Sequence, residues 1–204
     1  MLLTHIQRTL WLRNVLERVP FRENSYYRHK YCPEVEAAIN KQIQAEQEAA
    51  LKYLNMAVSF LHPSVSRLGA GGFFMKMYHE EFQHSEEFIH YQLSRGGVPL
   101  INGLKIQTPN IKITMIEAFK QALDLEHNVT ELIQDLIGIA EKAKDYHCVD
   151  FVTSIFMTDQ MDSINKISHH VTEIARLCDE YGLWNYDQHL ATTYPYNHKS
   201  LKKL

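Results

Sequence analysis

Four long stretches of this 204-residue chain repeat apolar residues at steps of three and four, which places those residues on one face of a helix. The predicted helices run from about Pro33 to Leu61, Ser66 to Arg95, Thr114 to Lys142 and His147 to Cys178. Residues 97–113 form a loop of about 17 residues without a helical pattern, and the remaining connections are short. Since short connections join antiparallel neighbours, the pattern predicts an all-α bundle of four helices with one long crossover.

Short signals mark the ends of these helices. Thr114 and Glu117 have the spacing of a capping box, in which a hydroxyl and a carboxylate each bind a free backbone amide. Pro33 suits the first turn of the first helix, and Gly96 follows the end of the second. The opening of the second helix, Gly69–Gly72, is a poor helix former, so we expect this segment to fray.

Composition and charge exclude several classes of protein. Lysine and arginine (21) against aspartate and glutamate (24) leave a net charge of −3, which gives no bulk basic signal for nucleic acid. No uninterrupted apolar run approaches the roughly 18 residues of a membrane span. The three cysteines fit free thiols in a reducing, intracellular compartment better than a disulfide framework.

The first 30 residues differ from the rest of the chain. Arginine and lysine outnumber acidic residues there, and Arg8 and Arg13 interrupt the compact apolar core that a secretory signal would need. The composition is typical of a mitochondrial transit peptide; the alternative is a solvated N-terminal helix of a cytoplasmic protein. We expect an N-terminal extension over residues 1–30, a bundle over 31–180, and a short helix with a basic tail over 181–204.

Polar residues interrupt the otherwise apolar inner stripes of all four helices. The interrupting residues are Glu46, Glu81, His84, Glu126 and Gln160. Each lies near the midpoint of its own helix, and in a bundle with aligned ends the midpoints share one level whatever direction each helix runs. The five side chains are therefore predicted to converge in one inner layer.

Such a layer is costly without a cation, because three buried carboxylates repel one another and each loses its hydration. Two divalent cations would offset that charge, and carboxylates with one imidazole suit Fe(II) or Mn(II). Glu81 and His84 are three residues apart and face the same way, as in the Glu-x-x-His pattern of di-iron bundles. Glu46, Glu81 and His84 would furnish one metal position well. A second position, with Glu81 shared and Glu126, would be poorer.

Two other interpretations stay open at this point. A metal-free, adaptor-like bundle would need the five polar residues to be exposed or idle. A different di-metal enzyme, such as a peroxidase-type bundle, would need a second Glu-x-x-His. The fourth helix instead has Asp159, Gln160 and Asp162 at that level, with no histidine ligand. Such asymmetric positions suit an enzyme that releases its metal better than one that keeps a permanent cofactor.

Several motifs resemble those of animal heavy-chain ferritin, in the same order and over about Arg28–Cys178. They are Glu36-Ala-Ala-Ile-Asn-Lys-Gln-Ile43, Tyr53-Leu-Asn-Met56, His79-Glu-Glu-Phe-Gln-His-Ser-Glu86, Arg95-Gly-Gly97, Leu125-Glu-His-Asn-Val129 and His170-Val-Thr172. The Arg-rich start favours a mitochondrial form. The resemblance implies a ferritin-like four-helix bundle with a short, divergent fifth helix, self-assembled into a 24-subunit shell that stores iron.

The resemblance also implies roles for individual residues in a ferroxidase, which oxidises Fe(II) to Fe(III) with O2. Its metal ligands would be Glu46, Glu81, His84 and Glu126. Tyr53 and Gln160 would complete the catalytic site by orienting the ligands and bound oxygen. Glu80 and Glu86 would nucleate the ferric mineral, and Asp150 would line an iron channel.

Three departures from the family pattern leave a second function open. Gln83 stands between the two nucleation glutamates, and Thr153 stands where the channel would carry a second acidic residue. The fifth-helix segment Gly182–His189 has an apparent deletion. The alternative is a storage or structural subunit of a mixed ferritin shell that does not oxidise iron itself.

Overall fold

The computed structural model describes residues 28–104 and 108–196, and in these residues all the regular structure is helical. The helices are α1 (Pro33–Leu61), α2 (Leu68–Ser94), α3 (Met115–Lys142), α4 (Tyr146–Ala175) and α5 (Glu180–Thr193). The predicted bundle of four long helices with a short fifth is confirmed. Most of the predicted N-terminal extension and the end of the predicted basic tail lie outside the described residues. Among the described residues, none of the helices combines the length and the apolar character that a membrane span requires.

The loop between α2 and α3 runs lengthwise along α1. The backbone amide of Val98 donates to the Glu36 carboxylate at 2.8 Å, near the start of α1. The amide of Leu100 then donates to the Asn40 side chain at 2.9 Å, one turn further along α1. The loop therefore carries the chain towards the other end of the bundle, as the predicted long crossover requires.

The inner faces predicted from the sequence are the buried faces of the helices. Four of the five polar residues on the predicted inner stripes are buried, namely Glu46, Glu81, Glu126 and Gln160. The fifth, His84, is partly buried. Large side chains fill the core between the helices, and each fully buried one contributes about 1.5–3 kcal/mol of apolar burial. This burial fixes the rotation of each helix about its axis and turns the polar residues near the helix midpoints inward.

The start of α3 confirms the predicted capping box. The hydroxyl of Thr114 accepts a hydrogen bond from the Glu117 amide at 3.3 Å, and the Glu117 carboxylate accepts one from the Thr114 amide at 2.9 Å. Predicted and observed helix ends agree within about one turn elsewhere. The largest difference is at the end of α4, which stops at Ala175 where Cys178 was expected.

The prediction that Gly69–Gly72 would fray is wrong. These residues are buried within the first turns of α2, because other segments of the chain pack directly on their backbone. A Cβ atom at Gly69 would lie 2.0 Å from the backbone oxygen of Asp187 in α5. A Cβ atom at Gly72 would lie 2.0 Å from the backbone oxygen of Tyr194. The glycines thus permit a close approach that offsets their low helix propensity.

Candidate metal centre

The inner layer of the bundle brings three of the predicted ligands together. One ligand atom each from Glu46 of α1 and from Glu81 and His84 of α2 lie within 4.8 Å of one another. Both glutamates are buried, and Nδ1 of His84 is 3.7 Å from Oε2 of Glu81. Carboxylate oxygens with one imidazole nitrogen suit Fe(II) or Mn(II), so these residues form a candidate metal position.

Polar atoms without a hydrogen-bond partner are concentrated in this layer. Four such buried atoms lie here: Glu46 Oε2, Glu81 Oε2, His84 Nδ1 and Glu126 Oε2. The other one found in the described residues is Oδ2 of Asp187 in α5. Because buried polar atoms are nearly always hydrogen-bonded or bound to an ion, these four fit the donor set of a cation.

Glu126 of α3 is buried in the same layer and is held by Tyr53 of α1. The Tyr53 hydroxyl donates a hydrogen bond to Oε1 of Glu126, which leaves Oε2 without a partner. Glu126 is not part of the group within 4.8 Å formed by Glu46, Glu81 and His84. A second metal position shared by Glu81 and Glu126 therefore stays a prediction.

Gln160 of α4 is also buried in the layer and links α4 to α3. Its amide donates to the Thr130 hydroxyl at 3.1 Å and to the backbone oxygen of Glu126 at 3.3 Å. Gln160 thereby fixes the backbone that carries Glu126, which fits the orienting role expected from the sequence.

Two residues that support the ligands were not predicted as part of the site from the sequence. Gln42 donates a hydrogen bond of 2.7 Å to Oε1 of Glu46, and Thr130 contacts Gln160. Each lies four residues from a predicted ligand, Gln42 before Glu46 and Thr130 after Glu126. Side chains four residues apart are neighbours on a helix, so this spacing was the signal that could have identified both residues.

Burial and mutual repulsion oppose the ionisation of the three carboxyl groups. Burial raises the pKa of Glu46 well above its ordinary value, and the charge of Glu81 adds to the rise. Burial, followed by the charge of Glu126, raises the pKa of Glu81 to about 8. Burial likewise raises the pKa of Glu126. A cation in this layer would reverse these shifts, so binding a metal would release protons.

The predicted nucleation and channel residues lie outside the inner group. Glu80 is half-buried and forms an ion pair of 3.0 Å with Lys76. Glu86 is exposed on α2, and Asp150 is exposed near the start of α4. Their expected roles concern the cavity and channels of an assembly, so those roles stay predictions.

Most of the bundle matches a known protein family. Residues 36–177 match the family described as a ferritin-like domain. This region contains the four long helices almost entirely, together with all of the inner polar residues.

The curated proteins that are similar to this chain in sequence include plant ferritins. "Ferritin-3, chloroplastic" of Arabidopsis thaliana is 34% identical over 170 residues, which is 81% of this chain and 66% of that protein. "Ferritin, chloroplastic" of Malus baccata var. xiaojinensis is 32% identical over 81% of this chain and 68% of that protein. "Ferritin-2, chloroplastic" of Zea mays is 32% identical over 82% of this chain and 69% of that protein. The match spans about two thirds of each relative. These plant relatives do not support the expected animal heavy-chain type or mitochondrial form.

Proposed function

This chain belongs to the ferritin family of iron-storage proteins, and on that premise we propose that it oxidises Fe(II) to Fe(III) with O2 and stores the ferric product. The group formed by Glu46, Glu81 and His84 carries the proposal. Its ligand atoms converge within 4.8 Å, and three buried polar atoms in it have no hydrogen-bond partner. In an adaptor-like bundle without metal, burying these polar atoms without partners would lower the stability of the fold and serve no function.

In the proposed reaction two Fe(II) ions each give one electron to O2, and two protons complete the product, hydrogen peroxide. Glu46, Glu81 and His84 bind one ion, and Glu81 with Glu126 binds the other. The carboxylates favour the ferric product, because Coulomb attraction grows with the charge of the ion and is strong where water is excluded. Iron is therefore a substrate that leaves the site, not a permanent cofactor.

Neighbouring side chains prepare the carboxylates for this role. Gln42 holds Oε1 of Glu46, and Tyr53 holds Oε1 of Glu126. In both residues the other oxygen is left without a partner and free to bind a metal. Such contacts fix the direction of a ligand before the ion arrives, which lowers the cost of ordering the site.

The substitution Glu81→Ala tests the proposal, since Glu81 belongs to both metal positions. Glu131→Ala is the matched control, because Glu131 is an exposed glutamate on α3. We expect Glu81→Ala to abolish rapid Fe(II) oxidation, measured by stopped-flow absorbance, while circular dichroism shows an unchanged helix content. The control should oxidise iron at the wild-type rate. Wild-type kinetics in Glu81→Ala would refute the assignment of the site.

Assembly and location are also part of the proposal. Self-association into a 24-subunit shell, alone or with other ferritin subunits, would enclose the ferric product, and size-exclusion chromatography with light scattering tests it. The plant relatives are named as chloroplastic ferritins, which favours an organellar location inside the cell over a cytoplasmic one. A fluorescent protein fused behind residues 1–30 would report whether that segment directs transport, and to which organelle.

Two substitutions favour a second candidate function, a storage subunit that does not oxidise iron itself. Gln83 and Thr153 reduce the acidic charge available for mineral nucleation and iron passage. The supporting result would be a large particle that oxidises Fe(II) only slowly on its own and fills with iron when a ferroxidase-active ferritin is mixed into the shell.

A further inference from the structure

A continuous run of aromatic rings leads from the candidate ligand His84 to Tyr91. The His84 ring packs edge-on against Phe156, with ring centres 5.5 Å apart. Phe156 contacts Phe151 at 5.5 Å, and Phe151 stacks on Tyr91 at 4.1 Å with only 15° between the ring planes. Phe88 stacks on Phe156 at 4.1 Å and widens the packed region. The space between the ligand and Tyr91 is therefore filled by aromatic side chains.

Tyr91 differs from the phenylalanines on this path because it can lose an electron and a proton together. Its ring is buried, and its hydroxyl is 3.3 Å from Nδ1 of His147. The guanidinium of Arg95 donates a hydrogen bond to the same hydroxyl. His147 is exposed at the start of α4, so a proton received there can pass on to solvent. Burial raises the pKa of Tyr91, which keeps the phenol protonated until it is oxidised.

The distance between His84 and Tyr91 suits electron transfer. Both residues belong to α2 and are seven positions apart, which corresponds to about 10 Å along the helix axis. Electrons tunnel readily over such a distance through tightly packed protein. The phenylalanines provide the packing but are too difficult to oxidise to hold the charge themselves, so Tyr91 is the residue on this path where an electron vacancy would settle.

We propose that Tyr91 supplies an electron to the inner metal site and passes its proton to His147, so that hydrogen peroxide is reduced there without releasing hydroxyl radical. The proposal rests on the proposed iron oxidation, which generates the peroxide. Fe(II) gives one electron and the Tyr91 phenol gives the other. The O–O bond breaks, and the phenol proton moves to His147 as the tyrosyl radical forms. The products are Fe(III), two hydroxide ions, the tyrosyl radical and protonated His147.

The Tyr91 radical is reduced back to the phenol by Fe(II), the substrate of the proposed reaction. A further Fe(II) at the inner site gives one electron to the Tyr91 radical and becomes Fe(III). The radical regains its proton from His147 and is again a phenol. Tyr91 is therefore used repeatedly, and each cycle converts two Fe(II) ions and one peroxide molecule. This reaction protects the chain from hydroxyl radical when peroxide reacts at a site that holds only one Fe(II) ion.

The experiment mixes the full-length, iron-free protein with Fe(II) under anaerobic conditions, adds hydrogen peroxide, and freezes the sample for electron paramagnetic resonance. We expect a tyrosyl radical signal in the wild type and its loss in Tyr91→Phe, which keeps the ring and removes only the hydroxyl. A spin trap should report several-fold more hydroxyl radical in Tyr91→Phe. Ferroxidase activity with O2 should be unchanged, since Tyr91 contacts no metal ligand.

Tyr186→Phe is the matched control. Tyr186 is also hydrogen-bonded to a histidine, His170, at 2.6 Å, but α5 carries it and it lies off the path from His84. A signal that survives in Tyr91→Phe, or that disappears in Tyr186→Phe or Tyr53→Phe alone, would overturn the role of Tyr91. Wild-type protein that oxidises iron with peroxide yet forms no radical would do the same. If the wild type binds no Fe(II), the proposed function itself fails.

Discussion

The carboxylate of Asp187 in α5 accepts a hydrogen bond of 2.8 Å from the backbone amide of Ala70, in the first turn of α2. The local N-cap residue of α2, Arg67, makes no side-chain cap hydrogen bond. Asp187, which lies 117 residues further along the chain, therefore supplies the cap. Since a helix N-terminus favours a negative charge, this contact couples the docking of α5 to the folding of the Gly-rich start of α2.

Removing this carboxylate should loosen both helices together. Asp187→Ala should lower the free energy of unfolding by about 1–2 kcal/mol, the usual effect of losing an N-cap. Hydrogen exchange followed by mass spectrometry should show faster exchange in residues 68–72 as well as in α5. Asp179→Ala is the control, because Asp179 caps α5 itself, at Gly182. It should speed exchange in α5 alone. Unchanged exchange at residues 68–72 in Asp187→Ala would contradict the coupling.

Gly69→Ala should displace α5, because the added Cβ would lie 2.0 Å from the backbone oxygen of Asp187. A backbone atom cannot move aside as a flexible side chain can, so we expect a lower melting temperature and easier proteolysis of the α5 segment. The opposite is expected for Gly138→Ala within α3, where a Cβ would meet no atom within 4 Å. That variant should be more stable by about 0.5–1 kcal/mol. Equal effects at the two glycines would contradict the close packing of α5.

Acid should destabilise the protein through His170. Burial lowers the pKa of His170, which packs against the rings of Phe73 and Phe119. As the pH falls below about 6.5, the unfolded chain takes up this proton before the folded chain does, so stability falls. Glu173 raises the pKa of His170, whereas Lys166, His169 and His189 lower it, and the net direction is downward.

Comparison of two histidine variants isolates this contribution. Denaturant unfolding at several pH values between about 5 and 6.5 should give a smaller pH dependence for His170→Gln than for the wild type, by at most about 1.4 kcal/mol per pH unit. His127→Gln, at an exposed position of α3, should retain the wild-type dependence. An identical slope in His170→Gln and the wild type would show that the folded protein admits the proton freely.

Iron uptake should respond to charge at Thr153, which is exposed on α4 and donates its hydroxyl to the backbone oxygen of Val149 at 2.7 Å. Thr153→Glu adds negative charge near Asp150, so it should speed Fe(II) uptake at low salt and lose that advantage at high salt. Thr172→Glu adds the same charge at another exposed position of α4 and should have little effect. Equal uptake rates in the two variants at low salt would mean that iron does not pass near Thr153.

Local patterns predicted most of the fold and the centre of the site. Helical spacing located α1 to α4, and the paired signals at Thr114 and Glu117 located the start of α3, because both depend on residues close in sequence. The polar interruption of the stripes identified Glu46, Glu81 and His84.

The sequence could not reveal contacts made between distant segments. The low helix propensity of Gly69 and Gly72 predicted fraying, whereas packing by α5 and Tyr194 holds these residues in the helix. That packing depends on the direction in which α5 leaves α4, which no local pattern specifies. The contact between Asp187 and Ala70 could not be predicted either, because it also depends on how α5 packs against α2.

The central claim is that the inner group of carboxylates and imidazole oxidises iron. The most direct measurement is titration of the iron-free protein with Fe(II) in air, followed by stopped-flow absorbance, together with sizing of the particle. The account predicts rapid oxidation that saturates at about two iron ions per chain, in a large assembly. Slow oxidation without saturation, or a small particle that binds no Fe(II), would contradict it.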